Sequence, residues 1–261
     1  MTAVTEDSAS AATAPVYQVG WIWRNRALVA TPVIVVVGLA LVLLYATTGE
    51  LDTVEQRALD SSYLWAKFLE HVWLTAASTT LVIALALPLG IMLSRPAVGR
   101  VRTGTLAFGG FMQALPPYGV IILLAFGLGF GTTTAIIALV LASFLPVLTN
   151  TVVGLRQVDP ALIEAARGMG MSARQTLWRV EIPLAVPVMV AGIRVALVLN
   201  VGTATLATFI AAGGLGEPID SMLKLGRPEA AFVASAIVAA LALLIDWLAA
   251  VAERLVSGRV A

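Results

Sequence analysis

The side chains best placed to recognise another molecule lie in one polar interval between two apolar segments, residues 159–183. Its sequence is DPALIEAARGMGMSARQTLWRVEIP. Asp159 supplies a side-chain acceptor for a helix N-terminus, and Pro160 suits the first helical position because no amide hydrogen is needed there. Ser172 and Gln175 have the spacing of a capping box, which marks a second helix start. The interval is therefore predicted to hold two short helices. Their charged and small side chains are expected to dock on another molecule.

Glycine and proline are expected to set the limits of these two helices. Gly168 and Gly170 are predicted to form the turn between them, because glycine adopts the backbone conformations of a helix C-terminus at no steric cost. The second helix is predicted to begin near Ala173. It is expected to end before Pro183, since the residue that precedes a proline is disfavoured in the helical region.

The same interval carries a resemblance to a known family. The tripeptide EAA at residues 164–166 is followed by Gly170 and by VEIP at residues 180–183. This pattern resembles the EAA loop of ABC-importer permeases, in which EAA, a glycine and Ile-x-Leu-Pro occur at the same spacing. Valine and isoleucine stand here in place of that isoleucine and leucine. The wider run EAARGMGMSARQTLWRVEIPLAVPVMVAGIR, with GTATLATFIAAGGLG at residues 202–216, resembles the permeases for glycine betaine, choline and related osmoprotectants.

The resemblance covers residues 68–255. It implies an all-α, polytopic membrane protein with the fold of type I ABC importer permeases and about six transmembrane helices. It also implies three protein partners: an ABC ATPase subunit that uses ATP and Mg²⁺, an extracytoplasmic substrate-binding protein, and a second permease that is the same or a similar chain. The chain is not expected to be an enzyme, to bind a cofactor or metal of its own, or to contact nucleic acid. The residues that the resemblance assigns to ATPase coupling are Glu164, Ala165, Ala166, Gly170 and Pro183.

The composition indicates an integral membrane protein, for which membrane lipid is an expected partner. Of the 261 residues, 59% are hydrophobic and 12% are charged, and the mean hydropathy is +0.95, far from the averages of soluble domains. The sequence has no cysteine and one histidine, His71, so thiolate and imidazole metal clusters are excluded. His71, close to Trp73, is expected to lie at the membrane interface.

The sequence offers no place for ATP hydrolysis. A phosphate-binding loop has the sequence GxxxxGK[ST], which includes a lysine. The two lysines of this chain are Lys67, in the loop before the second apolar segment, and Lys224, in a glycine-rich loop predicted at residues 211–229. Because both loops are predicted on the outer side, the chain cannot be its own ATPase, and ATP hydrolysis is expected in a separate subunit.

Six apolar segments are long enough to cross a bilayer if the third is counted as one broken span. They are residues 28–46, 72–93, 105–129, 135–153, 187–210 and 230–251. Pro116 and Pro117 interrupt the third segment and are expected to kink or break its helix. Residues 21–67 are assigned to an additional N-terminal transmembrane helix and external loop. Residues 1–20 and 256–261 are assigned to cytoplasmic tails, the first of them disordered.

The basic residues predict the orientation, because cytoplasmic loops are enriched in Lys and Arg. With the N-terminus inside, 11 arginines lie on the cytoplasmic side and 4 basic residues on the outer side. The inner ones are Arg24, Arg26, Arg95, Arg100, Arg102, Arg156, Arg167, Arg174, Arg179, Arg254 and Arg259, and the outer ones are Arg57, Lys67, Lys224 and Arg227. Both termini and the EAA loop are therefore expected in the cytoplasm, in a multi-pass protein of the cell inner (plasma) membrane.

Four polar or aromatic residues are candidates for the translocation pathway or its gate: Tyr118, Asn200, Thr203 and Thr205. Tyr118 lies beside the proline break, where an aromatic ring can hold a quaternary ammonium ion by cation–π attraction; packing in the core is the alternative. Asn200 is polar within a span and is expected to face protein or water. The small and hydroxyl residues at 202–209 fit helix packing as well as a pathway lining.

Two charges lie within the predicted spans, Arg194 and Asp246. Arg194 lies seven residues after Pro187 and Asp246 lies seven before Glu253. At about 1.5 Å per residue, both are expected about 10 Å from the cytoplasmic ends of antiparallel helices. An ion pair between them would relieve the cost of an isolated charge in the membrane. The alternative is that Arg194 extends to the inner interface.

The sequence thus favours the permease subunit of an ATP-driven importer for glycine betaine, choline or a related osmoprotectant. Two other functions stay open: a self-contained secondary carrier for a small solute, and an ABC permease for another small solute such as an amino acid. A carrier is disfavoured because two intramembrane charges are few for ion coupling and no inverted repeat is visible. The polar interval could also form helices on the lipid surface, with Arg167, Arg174 and Arg179 facing anionic head groups.

Overall fold

Helices form most of this protein because long stretches of the chain are apolar, and a backbone in lipid must satisfy its own hydrogen bonds. The structure is a computed structural model that describes residues 21–48 and 51–257. Its α-helices are α1 (Trp21–Thr48), α2 (Thr53–Ala58), α3 (Ser61–Leu93), α4 (Gly99–Ala114), α5 (Pro117–Leu128), α6 (Thr132–Arg156), α7 (Pro160–Gly168), α8 (Ala173–Thr176), α9 (Ile182–Ala204), α10 (Gly216–Lys224) and α11 (Pro228–Ser257). These two ranges contain no strand, so the prediction of an all-α protein is confirmed.

Four helical segments are long and apolar enough to cross a membrane: Ser61–Leu93, Thr132–Arg156, Ala173–Ile210 and Pro228–Leu255. Two further helical segments, Pro96–Ala114 and Pro117–Leu128, form a fifth span if they are taken together, and they are bent by 98° at the break between them. A shorter apolar stretch, Ala30–Ala46, lies in α1. The described residues therefore contain four spans, or five with the bent pair taken as one, against the expected number of about six; the first predicted span, residues 28–46, coincides with the shorter stretch in α1.

The helix break predicted at Pro116 and Pro117 is present. Pro117 is the first residue of α5, where its missing amide hydrogen costs nothing. Pro116 has φ −58° and ψ 124°, and Leu115 also has extended backbone, as expected for residues that precede a proline. The two prolines therefore separate α4 from α5 and turn the chain sharply within an apolar segment.

The core forms where α6 packs against both α3 and α9. Its fully buried side chains include Leu74, Leu139 and Ile210. Small residues let membrane helices approach closely. At Gly192 of α9, a Cβ atom would meet the Pro146 carbonyl oxygen of α6 at 2.8 Å, so this glycine is what allows the two backbones to pack together.

The bundle has two ends that carry different groups of short helices. One, called the α10 end below, contains α2, α10 and the start of α11, where Met222 packs with Ala58 and Ala230. Arg227 forms an ion pair with Asp52 at this end. The other, called the α7 end, contains α7 and α8, which follow α6 and precede α9.

Residues 211–229 are not the irregular loop that their glycines predict, because they contain the nine-residue helix α10. Gly213 and Gly214 have φ values of +80° and +86°, which glycine adopts readily, and they turn the chain into this helix. Gly216 begins α10 so close to the Thr205 carbonyl group that a methyl group would overlap it. Glycine here therefore marks a tight turn and a close contact.

Two predicted segments lie wholly or mainly outside the described ranges. These are the tail at residues 1–20 and residues 258–261 of the C-terminal tail. Residues 256–257 of the predicted C-terminal tail are the last two residues of α11.

Candidate functional site

The polar interval forms α7 from the residue at which the sequence predicts it. The Asp159 carboxylate accepts a hydrogen bond of 2.9 Å from the Ala161 backbone N–H. Pro160 is the first helical residue. Both signals act where they were expected, and the predicted helix start is confirmed.

A Schellman-type turn ends α7. The Gly170 N–H donates to the Arg167 carbonyl at 2.9 Å, and the Met171 N–H donates to the Ala166 carbonyl at 3.1 Å. Gly170 has φ +86°, the left-handed conformation that this motif needs and that glycine adopts without strain. Gly168 is the last residue of α7 and has no positive φ. Only one of the two predicted turn glycines therefore has to be glycine.

The predicted capping box is present at the start of α8. The Ser172 N–H donates to Gln175 Oε1 at 2.8 Å, and the Gln175 N–H donates to Ser172 Oγ at 3.3 Å. The helix begins at Ala173, so this prediction is also confirmed.

The predicted end of the second helix before Pro183 is wrong. The chain continues from α8 through a π-helical turn, Leu177–Glu181, into α9, so that Ala173–Ile210 is one span. In a π-turn an N–H bonds to the carbonyl five residues earlier, as the Ile182 N–H does with the Leu177 carbonyl. Ile182, the residue before the proline, has φ −62° and ψ −51°, the helical conformation that the rule disfavours but does not forbid. Pro183 therefore lies in the first turn of α9.

A buried carboxylate at the end of the π-turn is paired with an arginine that follows α3. Glu181 Oε2 lies 2.6 Å from Arg95 Nη2, and Glu181 Oε1 lies 3.3 Å from Arg95 Nη1. The Arg95 Nε–H also donates to Ser94 Oγ at 3.1 Å. This pair ties the end of α3 to the junction of α8 and α9. The ion pair was not predicted. The sequence does contain a signal for it, a glutamate next to an apolar span, because a buried glutamate needs a partner.

The EAA side chains differ in exposure. Glu164 and Ala165 are exposed, whereas Ala166 is buried. Large apolar side chains beside them also face outward, with exposed fractions of 48% for Leu162 and 74% for Met169. The α7 end therefore presents an acid, a methyl group and large apolar groups together on short helices.

Arg194 and Asp246 lie in contact between α9 and α11. Arg194 Nε is 2.7 Å from Asp246 Oδ1, and Arg194 Nη2 is 2.9 Å from Asp246 Oδ2. Glu253, a partner that was not predicted, approaches Arg194 Nη1 at 3.3 Å, so the guanidinium bridges two acids. The charges border a cavity of about 310 Å³. Because α9 begins before Pro187, the predicted start of this span, Arg194 lies farther along its helix than expected.

Three of the four pathway candidates lie in different surroundings. Thr203 lines a cavity of about 220 Å³ beside Pro117, at the break between α4 and α5. Thr205 lines a second cavity, of about 450 Å³. Asn200 is fully buried and donates to Thr79 Oγ1 at 2.9 Å. The structure therefore does not bring these residues into one lining.

Tyr118, the remaining candidate, is half exposed and packs against Phe209. The ring centroids are 4.9 Å apart and the ring planes are nearly perpendicular, at 88°. Lys224 Nζ lies 5.9 Å from the Phe209 ring centroid and 2.6 Å from Asp220 Oδ2. An aromatic pair and an ion pair thus meet at the α10 end.

His71, which was expected at the membrane interface, does not face lipid or water. His71 is fully buried, and its Nε2 lies 3.0 Å from the Val201 carbonyl oxygen. Its neighbour Trp73 is exposed. The imidazole therefore joins α3 to α9 within the bundle.

A charged network that was not predicted lies at the α10 end. Lys67 Nζ is 3.1 Å from Glu70 Oε2 and 2.7 Å from Glu217 Oε2. The Gly214 N–H donates to Glu70 Oε2 at 2.9 Å, so α3 holds the tight turn that precedes α10. Within residues 21–48 and 51–257, no group of three His, Asp or Glu side chains is arranged to hold a metal ion.

Curated permeases match this chain along most of its length. It is 38% identical over 188 residues to the glycine betaine/carnitine/choline transport system permease protein OpuCB of Bacillus subtilis, covering 72% of this chain and 86% of that one. It is 39% identical over 215 residues to the osmoprotectant import permease protein OsmY of Salmonella typhimurium, covering 82% and 90%. The choline transport system permease protein OpuBB of Bacillus subtilis is 39% identical over 189 residues, covering 72% and 86%.

Solved structures share the fold at lower sequence identity. A chain of the MetNI methionine ABC transporter in an inward-facing conformation matches with a TM-score of 0.67 and 22% identity, covering 74% of this chain and 95% of that one. A chain of an amino acid ABC transporter with histidines matches with a TM-score of 0.66 and 18% identity, covering 79% and 99%. The sequence profile of the family described as binding-protein-dependent transport system inner membrane component matches residues 86–258. The chain therefore belongs to the family of binding-protein-dependent transport system inner membrane components.

Proposed function

We propose that this chain is the permease subunit of an ATP-driven importer for glycine betaine, choline, carnitine or a related quaternary ammonium osmoprotectant. One observation carries the choice of solute: relatives at 38–39% identity over most of both chains are named for these compounds. The solved transporters named for amino acids are 18–22% identical, so an amino acid is the less supported solute.

The α7 end is proposed to dock on a separate ATPase subunit, which would bind ATP and Mg²⁺. Because α8 continues without a loop into α9, displacement of a docked α8 would move a transmembrane helix directly. The pair of Arg95 and Glu181 would pass part of this movement to α3. A role on the lipid surface is less well supported, because helices on a lipid surface do not need the glycine spacing of the EAA pattern.

The α7 end is proposed to face the cytoplasm, together with both termini. The support is the distribution of basic residues, because cytoplasmic segments are enriched in arginine and lysine. Arg167, Arg174 and Arg179 belong to the α7 end, whereas the four basic residues assigned to the outer side are in or beside α2, α3 and α10. The α10 end would then meet the extracytoplasmic binding protein.

A second permease, identical or similar, is proposed to complete the pathway. The helices α4 and α5 expose large apolar side chains, with fractions of 60% for Phe111, 72% for Leu123 and 80% for Phe126. In a membrane such a surface is covered by lipid or by another protein. The cavity at Thr203 and Pro117 lies beside the break between these helices, which supports a pathway along this side of the bundle.

Uptake measurements test the proposed function. Cells without osmoprotectant transport of their own receive this chain together with its ATPase and binding-protein subunits. The expected result is uptake of labelled glycine betaine, choline or carnitine that stops when either partner is omitted. Uptake by the chain alone would indicate a secondary carrier, and uptake of proline or methionine in place of the quaternary ammonium compounds would indicate a different solute.

A further inference from the structure

We propose that Tyr118, Phe209, Asp220 and Lys224 form a binding site for the trimethylammonium group of the transported solute at the α10 end. This inference rests on the proposed function, because it takes the solute to be a quaternary ammonium compound. It adds the place at which the permease itself holds that group, and a residue that separates cationic from zwitterionic solutes.

The aromatic part of the site is a pair of rings, of which Phe209 lines the cavity and Tyr118 packs against Phe209. Tyr118 comes from the first turn of α5, and Phe209 comes from the 3₁₀ turn Thr205–Ile210 that follows α9. Their planes are nearly perpendicular, at 88°, with centroids 4.9 Å apart. In this arrangement the edge of one ring meets the face of the other, so the pair stays packed while another aromatic face is left for a cation.

A cation already lies against one of these rings. Lys224 Nζ is 5.9 Å from the Phe209 centroid, within the roughly 6 Å of a cation–π contact. Its countercharge, Asp220 Oδ2, is 2.6 Å away. The lysine side chain is 68% exposed and the aspartate side chain 23%. The lysine can therefore move into solvent, whereas the carboxylate stays beside the ring.

Space for a ligand lies next to this ion pair. Phe209 and Asp220 line a cavity of about 450 Å³, within the roughly 300–1,000 Å³ of small-molecule sites. Leu206 and Val238 give it apolar surface for methyl groups, and Thr205 gives it a hydroxyl group. The cavity thus combines the aromatic, apolar and acidic surfaces that a trimethylammonium group requires.

The chemistry of the two cations favours exchange. A lysine ammonium is strongly hydrated and has three N–H donors to satisfy, whereas a trimethylammonium group has none and is recognised through aromatic faces. Choline, a cation, would take the place of the lysine ammonium next to Asp220. Glycine betaine and carnitine also carry a carboxylate, which the displaced Lys224 ammonium would bind as a charge-assisted hydrogen bond. Lys224 is therefore expected to assist zwitterions and not choline.

The experiment compares maximal uptake rates of choline and glycine betaine by the complete transporter, with the same ATPase and binding protein for every variant. Because the binding protein is unchanged, a change in the ratio of the two rates reports the permease. Phe209→Leu is expected to lower both rates by about fivefold to tenfold, the range that a cation–π contact of ordinary strength supplies. Lys224→Met is expected to lower the betaine rate by a similar factor and to leave the choline rate within about twofold.

Matched variants separate binding from folding. Phe209→Tyr keeps an aromatic face and is expected to keep both rates. Arg57→Met removes an exposed basic residue from the same end of the bundle and is expected to change neither rate. A second readout uses the full-length chain in nanodiscs with choline as the probe, where saturation transfer to the trimethylammonium protons is expected with the wild type and Phe209→Tyr and not with Phe209→Leu.

Two outcomes would overturn the inference while leaving the proposed function standing. One is a wild-type transporter that takes up choline and betaine and a Phe209→Leu variant with unchanged rates and an unchanged choline signal. The other is a Lys224→Met variant that slows both solutes equally. A wild-type transporter that takes up neither compound would instead overturn the proposed function, and the inference with it.

Discussion

Glu181 and Arg95 form a two-point ion pair in which the acid is buried and the base reaches solvent. The exposed fraction of the Glu181 side chain is 5%, and that of Arg95 is 36%. Loss of Arg95 leaves a carboxylate in the interior without a counterion, whereas loss of Glu181 leaves a guanidinium that water can reach. The two partners are therefore not equivalent in their contribution to stability.

The first prediction follows from this asymmetry. Arg95→Met should lower the free energy of unfolding by about 3 kcal/mol, the low end for a buried pair that loses one partner, and Glu181→Gln should cost clearly less. Thermal unfolding of the purified chain in nanodiscs measures both. The double variant Arg95→Met with Glu181→Met should be more stable than Arg95→Met alone, because no charge is left unpaired. Equal losses for the two single variants would contradict this account.

The second prediction uses the two glycines of the α7 turn as a matched pair. Gly170→Ala should cost roughly 1–2 kcal/mol, because a side chain is disfavoured at positive φ, and it should weaken docking of the ATPase. Gly168→Ala should be neutral or slightly stabilising, since alanine is the better helix residue. A Cβ atom at either position meets nothing within 4 Å, so any difference comes from the backbone. Thermal unfolding of the two variants measures the difference in stability, and co-purification of the ATPase subunit measures the difference in docking.

The third prediction concerns the exposed acid of α7. Glu164→Lys should leave the permease inserted with unchanged thermal unfolding, because its side chain is exposed. ATPase co-purification and solute uptake should both be lost, and Glu164→Gln, which removes the charge without reversing it, should give an intermediate result. Undiminished complex and uptake in Glu164→Lys would defeat the proposed docking role.

The fourth prediction tests the charges between α9 and α11. Arg194→Met leaves Asp246 and Glu253 without their shared cation and should lower the amount of folded protein. Arg194→Asp should lower it further, because three acids then lie together. Exchange of Arg194 and Asp246 should recover part of the loss. The ion pair is contradicted if Arg194→Met does not change the amount of folded protein and the exchange gives no more folded protein than the worse single variant. Arg194 would then extend to the membrane interface instead.

The fifth prediction concerns orientation. The chain has no native cysteine, so single cysteines can be introduced without background. Both Ala173, at the α7 end, and Arg57, at the α10 end, are exposed. In intact cells a membrane-impermeant thiol reagent should label Arg57→Cys and not Ala173→Cys, and permeabilised cells should show labelling of both. The reverse pattern would invert the proposed topology.

Features with local signals could be predicted from the sequence. The starts of α7 and α8 depend on residues within a few positions of each other, such as Asp159 with Ala161 and Ser172 with Gln175. The break before α5 depends on two adjacent prolines. These devices work through short-range hydrogen bonds and sterics, so the order of residues is enough to locate them.

Features that need distant partners could not be predicted in the same way. Glu181 meets Arg95 across 86 positions of the chain, and Glu253 joins Arg194 across 59. Their contact depends on which ends of the helices are brought together, which spacing alone does not specify. The prediction at Pro183 failed for another reason: its rule is only a preference against helical backbone before a proline, and Ile182 adopts helical backbone at the point where the π-turn leads into α9.

That π-turn determines the directions in which the side chains of α9 point, relative to those of α8. A π-turn contains one residue more than an α-helical turn, and each residue rotates the following side chains by about 100°, at 3.6 residues per turn. If the same residues were wound as a regular α-helix, α9 would rotate by about that angle relative to α8. Arg194 would then turn away from α11, and Asn200 would turn away from α3. The direction in which Phe209 points at the α10 end therefore depends on the winding of five residues, Leu177–Glu181, at the opposite end of the bundle.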